Sequence, residues 1–401
     1  MRITATGTKT EEWLSQLDRL LSEPMGDVRD RERSAFDNLL AGCGNRLVLF
    51  GAGNLGRKAL QCLQSVGIVP LAFADNNESK WGSSLEGIPI LSPSDAARRY
   101  GSSALFLVTI WSLGHFYPES RAILEGMGCR HVESTAALRW KFATELLPDF
   151  CQDLPHKLYE QSEEVWKAAF LWSDDLSRRE YLNHVKWRAL GDQRVLGAAV
   201  KEESYFLDSL YRIEDGEVFV DCGAYIGDTA EQVIRRNSAF SKILAIEADP
   251  RNFGRLAKWV DTLETGLASR IEALNIAVGA KRGKLHFSAS GNEGARLAVD
   301  GNIEVNCLPI DDVMGAATPT FIKMDIEGAE IDALEGARRS IQSHRPILSI
   351  CVYHKQNDLW RIPLLIKTLA EDYRLFLRPH DVDGWQLVCY AVPEHRLRSP
   401  H

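Results

Sequence analysis

The sequence predicts an α/β protein with two doubly wound domains and a helical segment between them. Strand-like apolar runs alternate with helical patterns in two stretches, a glycine turn follows an early strand of each stretch, and the middle stretch has helical spacing without a clear strand. Such alternation is typical of parallel sheets covered on both faces. We therefore predict N-terminal helices plus a Rossmann-like domain at residues 1–137, a helical connector at 138–200 and a second Rossmann-like domain at 201–396.

The composition is that of a globular protein. With 401 residues, 45% hydrophobic and 25% charged, the chain is long enough for two or three buried cores. A net charge of -8 without a long basic run argues against a nucleic-acid-binding protein. The eight cysteines are scattered, so we expect buried thiols, with neither a disulfide framework nor a metal site. Because no signal pattern or membrane-length apolar run is present, we expect a cytoplasmic protein without membrane contact.

The N-terminal domain opens with two helical patterns, at Glu11–Leu21 and Asp30–Leu40, where Leu, Trp and Phe recur at helical spacing. Alternating strands and helices follow. The predicted strands are RLVLF, VPLAFADN, GIPIL and ALFLVTI.

The first glycine turn has the pattern G-x-G-x-x-G between a strand and a helix. Its glycines permit a tight turn, and the helix N-terminus offers amide donors to a pyrophosphate. The turn could hold NAD or a nucleotide sugar, or it could keep the shape and bind nothing. Through LFGAGNLGRKAL, FADNNESKWG and GIPIL, the segment resembles the small nucleotide-sugar-binding domain ahead of some sugar acyltransferases. The candidate residues of this second nucleotide site are Gly51, Gly53, Asn54, Gly56 and Asp75.

The connector is predicted from aromatic residues at helical intervals. Trp166, Phe170, Tyr181 and Trp187 recur among many charges, and we expect them to pack against a neighbouring domain.

The C-terminal domain is predicted to end in an antiparallel hairpin. Its last two strands are separated only by PHDVDG, which is too short for a crossover helix. That ending is uncommon in dinucleotide-binding sheets and usual in class I methyltransferase sheets. The predicted strands are EVFVD, KILAIEA, IEALNIAVG, KLHFSA, TFIKMD, ILSICVY, YRLFLR and WQLVCYAV.

The second glycine turn, VFVDCGAYIGDT, has a different charge environment. Asp221 and Asp228 flank its glycines, and two carboxylates there disfavour a pyrophosphate. S-adenosylmethionine suits the turn better because it is cationic and has no phosphate. Glu247 ends the next strand 20 residues after Gly227, where it can accept ribose hydroxyls. Asp221 could instead be a strand-end cap, and Glu247 a solvated loop acid.

Polar residues are predicted to converge at the carboxyl ends of the strands, where open α/β sheets bind ligands. Asn275–Ala277 end a third strand and would meet an adenine edge. Asp325 and His354 end two further strands. We expect one crevice lined by Asp221, Glu247, Asn275, Asp325 and His354.

At this point the sequence resembles the FkbM family of S-adenosylmethionine-dependent methyltransferases. The resemblance spans about Tyr205–Val392, through EVFVDCGAYIGDT, IEADPRNFGRL, NIAVG, LPIDDV, FIKMDIEGAEIDALEGA and SICVYHKQNDLWRIPLLIK. It implies O-methylation of a hydroxyl on a sugar, a nucleotide-linked sugar or a secondary metabolite. The predicted cofactor site comprises Asp221, Gly223, Ala224, Tyr225, Gly227, Asp228, Thr229, Glu247, Asn275, Ala277 and Asp325.

An alcohol acceptor has to lose a proton, so a general base is expected. His354 is the first candidate, and Asp325 or Glu327 the second. The segment Ser288–Asn302 could be a lid over the acceptor or a mobile loop. The expected partner is a small-molecule acceptor with a hydroxyl group, of the carbohydrate class. The chain could also form a homo-oligomer. Two other functions stay open, an NAD-dependent oxidoreductase using Gly51–Gly56 and a non-catalytic nucleotide-binding scaffold.

Overall fold

The computed structural model describes residues 8–287 and 303–398. The described chain divides into two compact units. Unit 1 comprises residues 8–166, 179–199 and 381–385, and unit 2 comprises 167–178, 200–287, 303–380 and 386–398. Within these ranges no helix combines the length and apolarity that crossing a bilayer requires.

Unit 1 begins with two helices that confirm the predicted N-terminal pair, and it continues with alternating strands and helices. Its first elements are α1 (Thr8–Leu21), α2 (Met25–Gly42), β1 (Leu47–Phe50), α3 (Asn54–Ser65), β2 (Ala72–Ala74), a 3-10 helix (Glu78–Lys80), β3 (Ser84–Leu85), β4 (Ile88–Leu91), α4 (Pro93–Tyr100), β5 (Leu105–Val108), α5 (Tyr117–Gly126) and β6 (His131–Ser134).

The sheet of unit 1 has the order β3-β4-β2-β1-β5-β6. All neighbours are parallel except the short β3, which is antiparallel to β4. Both faces are buried, because alternate residues of β1 enter different cores: Leu47 and Leu49 lie on one side, and Val48 and Phe50 on the other. The predicted doubly wound sheet is therefore present.

Residues 138–200, predicted as a connector, are helical and are shared between the units. Residues 138–166 and 179–199 belong to unit 1, and 167–178 belong to unit 2. Tyr181 and Trp187 are buried, whereas Phe170 is 57% exposed. The helices in and around this segment are α6 (Ala136–Lys141), α7 (Ala143–Leu146), α8 (Pro155–Tyr159), α9 (Ser162–Ala169), α10 (Asp175–Leu190) and a 3-10 helix (Gln193–Val195).

Unit 2 repeats the alternation of strands and helices and ends with two successive strands. Its elements are β7 (Val218–Cys222), α11 (Asp228–Arg236), β8 (Lys242–Ile246), α12 (Pro250–Asp261), α13 (Thr265–Ala268), β9 (Ile271–Leu274), β10 (Ala277–Val278), β11 (Gly283–Phe287), β12 (Ile303–Leu308), α14 (Ile310–Met314), β13 (Phe321–Met324), α15 (Glu330–Gly336), α16 (Arg338–His344), β14 (Ile347–Cys351), α17 (Asp358–Leu369), β15 (Arg374–Pro379), β16 (Leu387–Val392) and a 3-10 helix (Glu394–Arg396).

The main sheet of unit 2 has seven strands in the order β15-β16-β14-β13-β7-β8-β9. β16 runs antiparallel to both neighbours, which confirms the predicted hairpin. The remaining pairs are parallel. The strand order reverses between β7 and β13, and open α/β sheets bind their ligands outside such a point.

A second sheet in unit 2 corrects two of the expected strands. IEALNIAVG does not form one strand, because it ends in the main sheet as β9 and resumes as β10 in a separate three-stranded sheet, β10-β12-β11. KLHFSA also lies in this smaller sheet, as β11, and its partner β12 was not predicted. The polar sequence before β12 gave no strand pattern. The predicted lid, Ser288–Asn302, lies outside the described residues.

The outer edge of β15 is covered by residues 167–178. Ser173 donates its backbone N–H to the carbonyl of Leu375 at 2.8 Å. The hydroxyl of Ser177 accepts from the backbone N–H of Leu377 at 2.9 Å and from the guanidinium of Arg378 at 2.8 Å. These contacts satisfy edge groups that would otherwise be available to another strand.

Candidate functional site

The candidate site lies at the carboxyl ends of β7, β8 and β13. The loop after β7 is held by two hydrogen bonds, from the backbone N–H groups of Gly223 and Ala224 to the carbonyl of Ile246, both 3.0 Å long. The loop after β13 packs directly against it, because an added Cβ at Gly223 would lie 1.9 Å from the carbonyl oxygen of Asp325. Only glycine allows this approach, and its φ of +79° also favours glycine.

Gly227 ends the same loop and begins α11. It has a φ of +98°, and an added Cβ would lie 2.4 Å from the Trp259 ring. The first helical residue, Asp228, is exposed, and Thr229 behind it is buried. The predicted strand–glycine turn–helix unit is therefore formed, with its acid at the helix N-terminus.

Asp221 is fully buried beneath the loop and forms an ion pair that the sequence prediction missed. The Nζ atom of Lys323, on the adjacent strand, lies 3.0 Å from Asp221 Oδ1 and donates to the carbonyl of Gly223 at 2.7 Å. Burial raises the pKa of Asp221 to about 6, although Lys323 opposes the rise. Lys323 thus neutralises Asp221, and the pair supports the loop. A contact between Asp221 and the cofactor stays a prediction.

Glu247 follows β8, and its carboxylate is oriented by two backbone donors. It accepts from the N–H of Tyr225 and from the N–H of Asp249, each at 2.8 Å. Burial raises the pKa of Glu247 to about 7 and outweighs these hydrogen bonds. The side chain of Asn275 donates to the carbonyls of Glu247 at 2.9 Å and Ala248 at 3.2 Å, so it fixes this strand end. The structure thus brings Glu247, Asn275 and the glycine loop together.

Asp325 follows β13 and is surrounded by three donors. Tyr205 donates its hydroxyl to Oδ2 at 2.7 Å, Tyr353 donates to Oδ1 at 3.2 Å, and His354 Nε2 lies 3.2 Å from Oδ1. Burial alone would raise the pKa of Asp325, but His354, Lys323 and Tyr205 hold it well below its usual range. The side chain keeps 24% of its surface exposed. Asp325 is thus an ionised carboxylate that a ligand can reach.

His354 occupies the predicted strand end, but its surroundings do not suit a general base. Its imidazole is 1% exposed and lies between two acids, with Nδ1 2.8 Å from Glu330 Oε1 and Nε2 facing Asp325. Burial alone would lower the pKa of His354, but Glu330 and Asp325 raise it well above the usual value. The raised pKa favours the imidazolium, which is less suited to accept a proton. The role of His354 as a general base stays a prediction.

The two other predicted site residues considered next are Glu327 and Ala277. Glu327 lies in the turn after Asp325, is half-buried and has a φ of +56°, which is uncommon for a residue other than glycine. Ala277 lies in β10 and packs with Val305 and Cys307, so its side chain belongs to the core of the smaller sheet.

The first glycine turn, in unit 1, is held together by its own residues. An added Cβ at Gly56 would lie 2.0 Å from the carbonyl oxygen of Gly51. Asp75 Oδ2 accepts from the backbone N–H of Ala52 and from Lys80, both at 2.8 Å. Burial alone would raise the pKa of Asp75, but Lys80 and the backbone donors lower it. Gly56 and Asp75 are thus explained by contacts that build the turn, whereas an added Cβ at Gly53 would meet open space. Gly53 precedes α3, and Asn54 is its first residue.

Residues 381–385 fill the carboxyl end of β5 within unit 1. Asp383 is fully buried, and its Oδ2 accepts from the backbone N–H of Tyr117 at the start of α5, at 2.8 Å. The Trp385 ring packs against Trp111 and Phe150, with centroids 4.5 Å and 4.6 Å apart. Asp383 and Trp385 thus pack against the segments that follow β5.

Three residues of the site were not predicted. Lys323 had a detectable signal, because a lysine inside the apolar strand FIKMD requires a buried partner. Tyr205 and Glu330 had none, since their contacts with Asp325 and His354 depend on tertiary packing. Within the described part of the chain, no group of three or more His, Cys, Asp and Glu side chains is arranged to hold a metal ion.

Comparison with known proteins identifies a domain in this region. Residues 221–381 match the family model of the methyltransferase FkbM domain. A search of curated proteins finds no match. The crystal structure of methyltransferase FkbM from Methylobacillus flagellatus KT is similar over 96% of this chain and 99% of its own, with 25% sequence identity and a TM-score of 0.75. The likeness therefore includes both units.

Partial likenesses to two further structures are too weak to support an argument. UDP-D-quinovosamine 4-dehydrogenase from Vibrio fischeri has 22% identity and a TM-score of 0.18, over 22% of this chain and 74% of its own. Precorrin-6y C5,15-methyltransferase from Geobacter metallireducens GS-15 has 12% identity and a TM-score of 0.30, over 46% of this chain and 83% of its own.

Proposed function

Because this chain is a methyltransferase with an FkbM domain at residues 221–381, we propose that it transfers a methyl group from S-adenosylmethionine to a hydroxyl of a small molecule. The acceptor is a sugar, a nucleotide-linked sugar or a secondary metabolite. The observation that carries the proposal is the set of donors and acceptors at the β7–β13 end of the sheet, where a glycine loop lies between two oriented carboxylates, Glu247 and Asp325.

The charges of these residues fit S-adenosylmethionine better than a phosphate-containing cofactor. Lys323 is neutralised by Asp221, and the ammonium of Lys355 binds the carbonyl of Gly328. Glu247, Asp325 and the exposed Asp228 at the start of α11 remain as the acids that border the glycine loop. Carboxylates attract a cationic ligand and repel a diphosphate. The absence of a Cβ at Gly223 also brings the loop close to the end of β13.

Each carboxylate has a distinct role in this proposal. Glu247, held by two backbone N–H groups, accepts the ribose hydroxyls. Asp325, fixed by Tyr205 and Tyr353, faces the positive charge of the methionine portion. When bound, the cofactor supplies a methyl group on a sulfonium, and the protein contributes by holding the acceptor in line with it.

Glu327 is our proposed general base. Asp325 is a weak base because its pKa is held low, and the raised pKa of His354 favours its protonated form. Glu327 follows Asp325 in the same turn, and its positive φ marks a conformation that proteins retain mainly where function or packing requires it.

The alternatives based on unit 1 have less support. A dinucleotide at Gly51–Gly56 would meet Asp75 already bound to Lys80. A nucleotide or nucleotide sugar at this turn stays a prediction. The methyltransferase assignment replaces the oxidoreductase and the non-catalytic scaffold as the function of the chain.

We expect calorimetric titration to show binding of S-adenosylmethionine and S-adenosylhomocysteine, and no binding of NAD. Incubation with S-adenosylmethionine and a panel of free sugars, UDP-glucose and aliphatic or phenolic alcohols should release S-adenosylhomocysteine with at least one acceptor, with the methylated product identified by mass spectrometry. Binding of NAD without binding of either adenosyl compound would refute the proposal. Displacement of bound cofactor by UDP-glucose would instead place the nucleotide in unit 2.

The raised pKa of Glu247 predicts a pH-dependent affinity for the cofactor. Ribose hydroxyls donate to the ionised carboxylate, so binding lowers the pKa of Glu247 from about 7 in the free protein. Affinity should therefore fall as the pH decreases through about 7, by at most about tenfold per pH unit. We expect calorimetry to show this loss between about pH 7.5 and 6.

The control is Glu247→Gln, which keeps the shape of the side chain and removes its titration. It should bind more weakly than the wild type at pH 7.5 and lose the pH dependence in this range. Asp221 and Asp358 also have raised pKa values, about 6 and about 7 respectively. An unchanged pH profile in Glu247→Gln would assign the effect to one of these acids.

A further inference from the structure

We propose that Glu330 is a positioning residue, whose buried carboxylate holds the His354 imidazolium against Asp325 and fixes the turn that carries Asp325. Glu330 is the first residue of α15 and is fully buried. Its Oε1 lies 2.8 Å from His354 Nδ1 and accepts from the backbone N–H of Ile326 at 2.9 Å. One carboxylate thus binds both the imidazole and the backbone next to Asp325.

The backbone contacts explain why the turn keeps its shape. The N–H of Gly328 also points to Glu330 Oε1, at 3.4 Å. Glu327 and Gly328 both have positive φ values, +56° and +97°. Backbone in this region is retained only when surrounding contacts determine it. Glu330 provides such contacts on both sides of Glu327.

The charges of Asp325, His354 and Glu330 together affect ligand binding. Asp325 and Glu330 are acids on opposite sides of one imidazolium, so the group keeps one negative charge. Without Glu330, the imidazolium would cancel the charge of Asp325. Glu330 therefore allows Asp325 to be both rigidly held by a cation and still attractive to a cationic ligand.

The surroundings of His354 contain other charged groups that an experiment has to separate. Asp358, at the start of α17, is 1% exposed, and burial followed by the charge of Glu330 raises its pKa to about 7. The titratable and charged groups around the imidazole, on all packed elements, are Tyr205, Lys323, Asp325, Glu327, Glu330, Tyr353, Lys355 and Asp358.

The first test is NMR of the ligand-free protein with labelled histidine. In the wild type, the pKa of His354 should lie well above its ordinary value, because Glu330 and Asp325 both face the imidazole. In Glu330→Gln the pKa of His354 should be lower than in the wild type, because one of the two carboxylates is gone. The matched control is Glu335→Gln on the same helix, whose acid pairs with Arg338 and is 35% exposed. The control should leave the His354 signal unchanged.

The second test measures cofactor affinity and rests on the proposed function. Below the pKa that NMR measures for His354 in Glu330→Gln, the imidazolium cancels the charge of Asp325, so this variant should bind S-adenosylmethionine about tenfold more weakly than Glu335→Gln. Above that pKa, where His354 has lost its proton, the affinities of the two variants should differ by less than about threefold. Because Glu247 titrates in both variants, the ratio of their cofactor affinities does not depend on the protonation of Glu247.

The outcomes distinguish this proposal from the proposed function. Failure to bind S-adenosylmethionine at all would refute the function, while the NMR titration would still test Glu330. A neutral His354 in the wild type at pH 7 would overturn the proposal, even if Glu330→Gln did not fold. So would a pKa of His354 in Glu330→Gln that equals the wild-type value, or an affinity ratio that is the same below and above the pKa measured for His354 in Glu330→Gln.

Discussion

Replacing Lys323 with methionine should lower the free energy of unfolding of unit 2 by about 3–5 kcal/mol. The methionine fills a similar volume, but it leaves the carboxylate of Asp221 buried without its counter-ion. It also removes the donor to the Gly223 carbonyl, so cofactor binding should be lost in whatever protein remains folded. Denaturant unfolding followed by fluorescence, together with calorimetric titration, measures both effects.

The effect of Lys323→Met should depend on pH in a defined direction. Burial already raises the pKa of Asp221 to about 6, above its value in the unfolded chain, and removal of Lys323 raises it further. An acid with a raised pKa in the folded state opposes folding when it is ionised, so the destabilisation should be largest above about pH 7. It should shrink as the pH falls, and it should vanish below about 3.9, the pKa of an aspartate in the unfolded chain, because Asp221 is then protonated in both states.

Two variants control for the loss of a lysine. The double variant Asp221→Asn with Lys323→Met replaces the ion pair by neutral groups and should recover most of the lost stability, because a buried carboxylate no longer lacks a partner. Lys242→Met removes a lysine from the neighbouring β8, where it pairs with Glu272 at the surface, and should change stability by less than about 1 kcal/mol. Equal losses in Lys323→Met and Lys242→Met would contradict a structural role for the buried pair.

Replacing Glu327 with glutamine should lower turnover about a hundredfold or more while cofactor affinity stays within about twofold. Glutamine keeps the size of the side chain and the turn between Asp325 and Glu330, but it does not accept the acceptor's proton. The measurements are initial rates of S-adenosylhomocysteine release with the best acceptor, and calorimetry for the cofactor.

Asp332→Asn serves as the matched control, because Asp332 is an exposed acid in the first turn of α15. It should retain wild-type turnover. If Glu327→Gln turned over at the rate of Asp332→Asn, the general base would have to be sought elsewhere. If instead the cofactor affinity of Glu327→Gln fell with its rate, Glu327 would be a binding group.

The fold was largely predictable because it is encoded in local patterns. Apolar runs, glycine turns and the short PHDVDG segment marked both sheets and the antiparallel β16. The smaller sheet was not predicted, because the pairing of β12 with β10 and β11 is non-local and follows a polar stretch. Periodicity identifies a strand but does not identify the sheet to which it belongs.

The positions of the candidate site residues were predictable from the sequence, but their protonation states were not. Spacing placed Glu247, Asp325 and His354 at strand ends, as the structure has them. The charge on His354 depends on Glu330, which lies five residues after Asp325 and meets the imidazole only after folding. Asp221 showed the same limitation, since its charge is cancelled by a lysine on an adjacent strand. A sequence pattern of acids therefore indicates where a ligand binds. The ion pairs that form on folding decide which of these acids contact the ligand.

The assignment of residues 381–385 to unit 1 has a consequence for synthesis of the chain. The Asp383 carboxylate that caps α5 and the Trp385 ring that covers Trp111 are translated after almost all of the protein. During synthesis on the ribosome, the carboxyl end of β5 in the N-terminal sheet lacks these two side chains until residue 385 has emerged. A polypeptide halted before that residue would therefore expose Trp111 and Phe150 to chaperones and proteases.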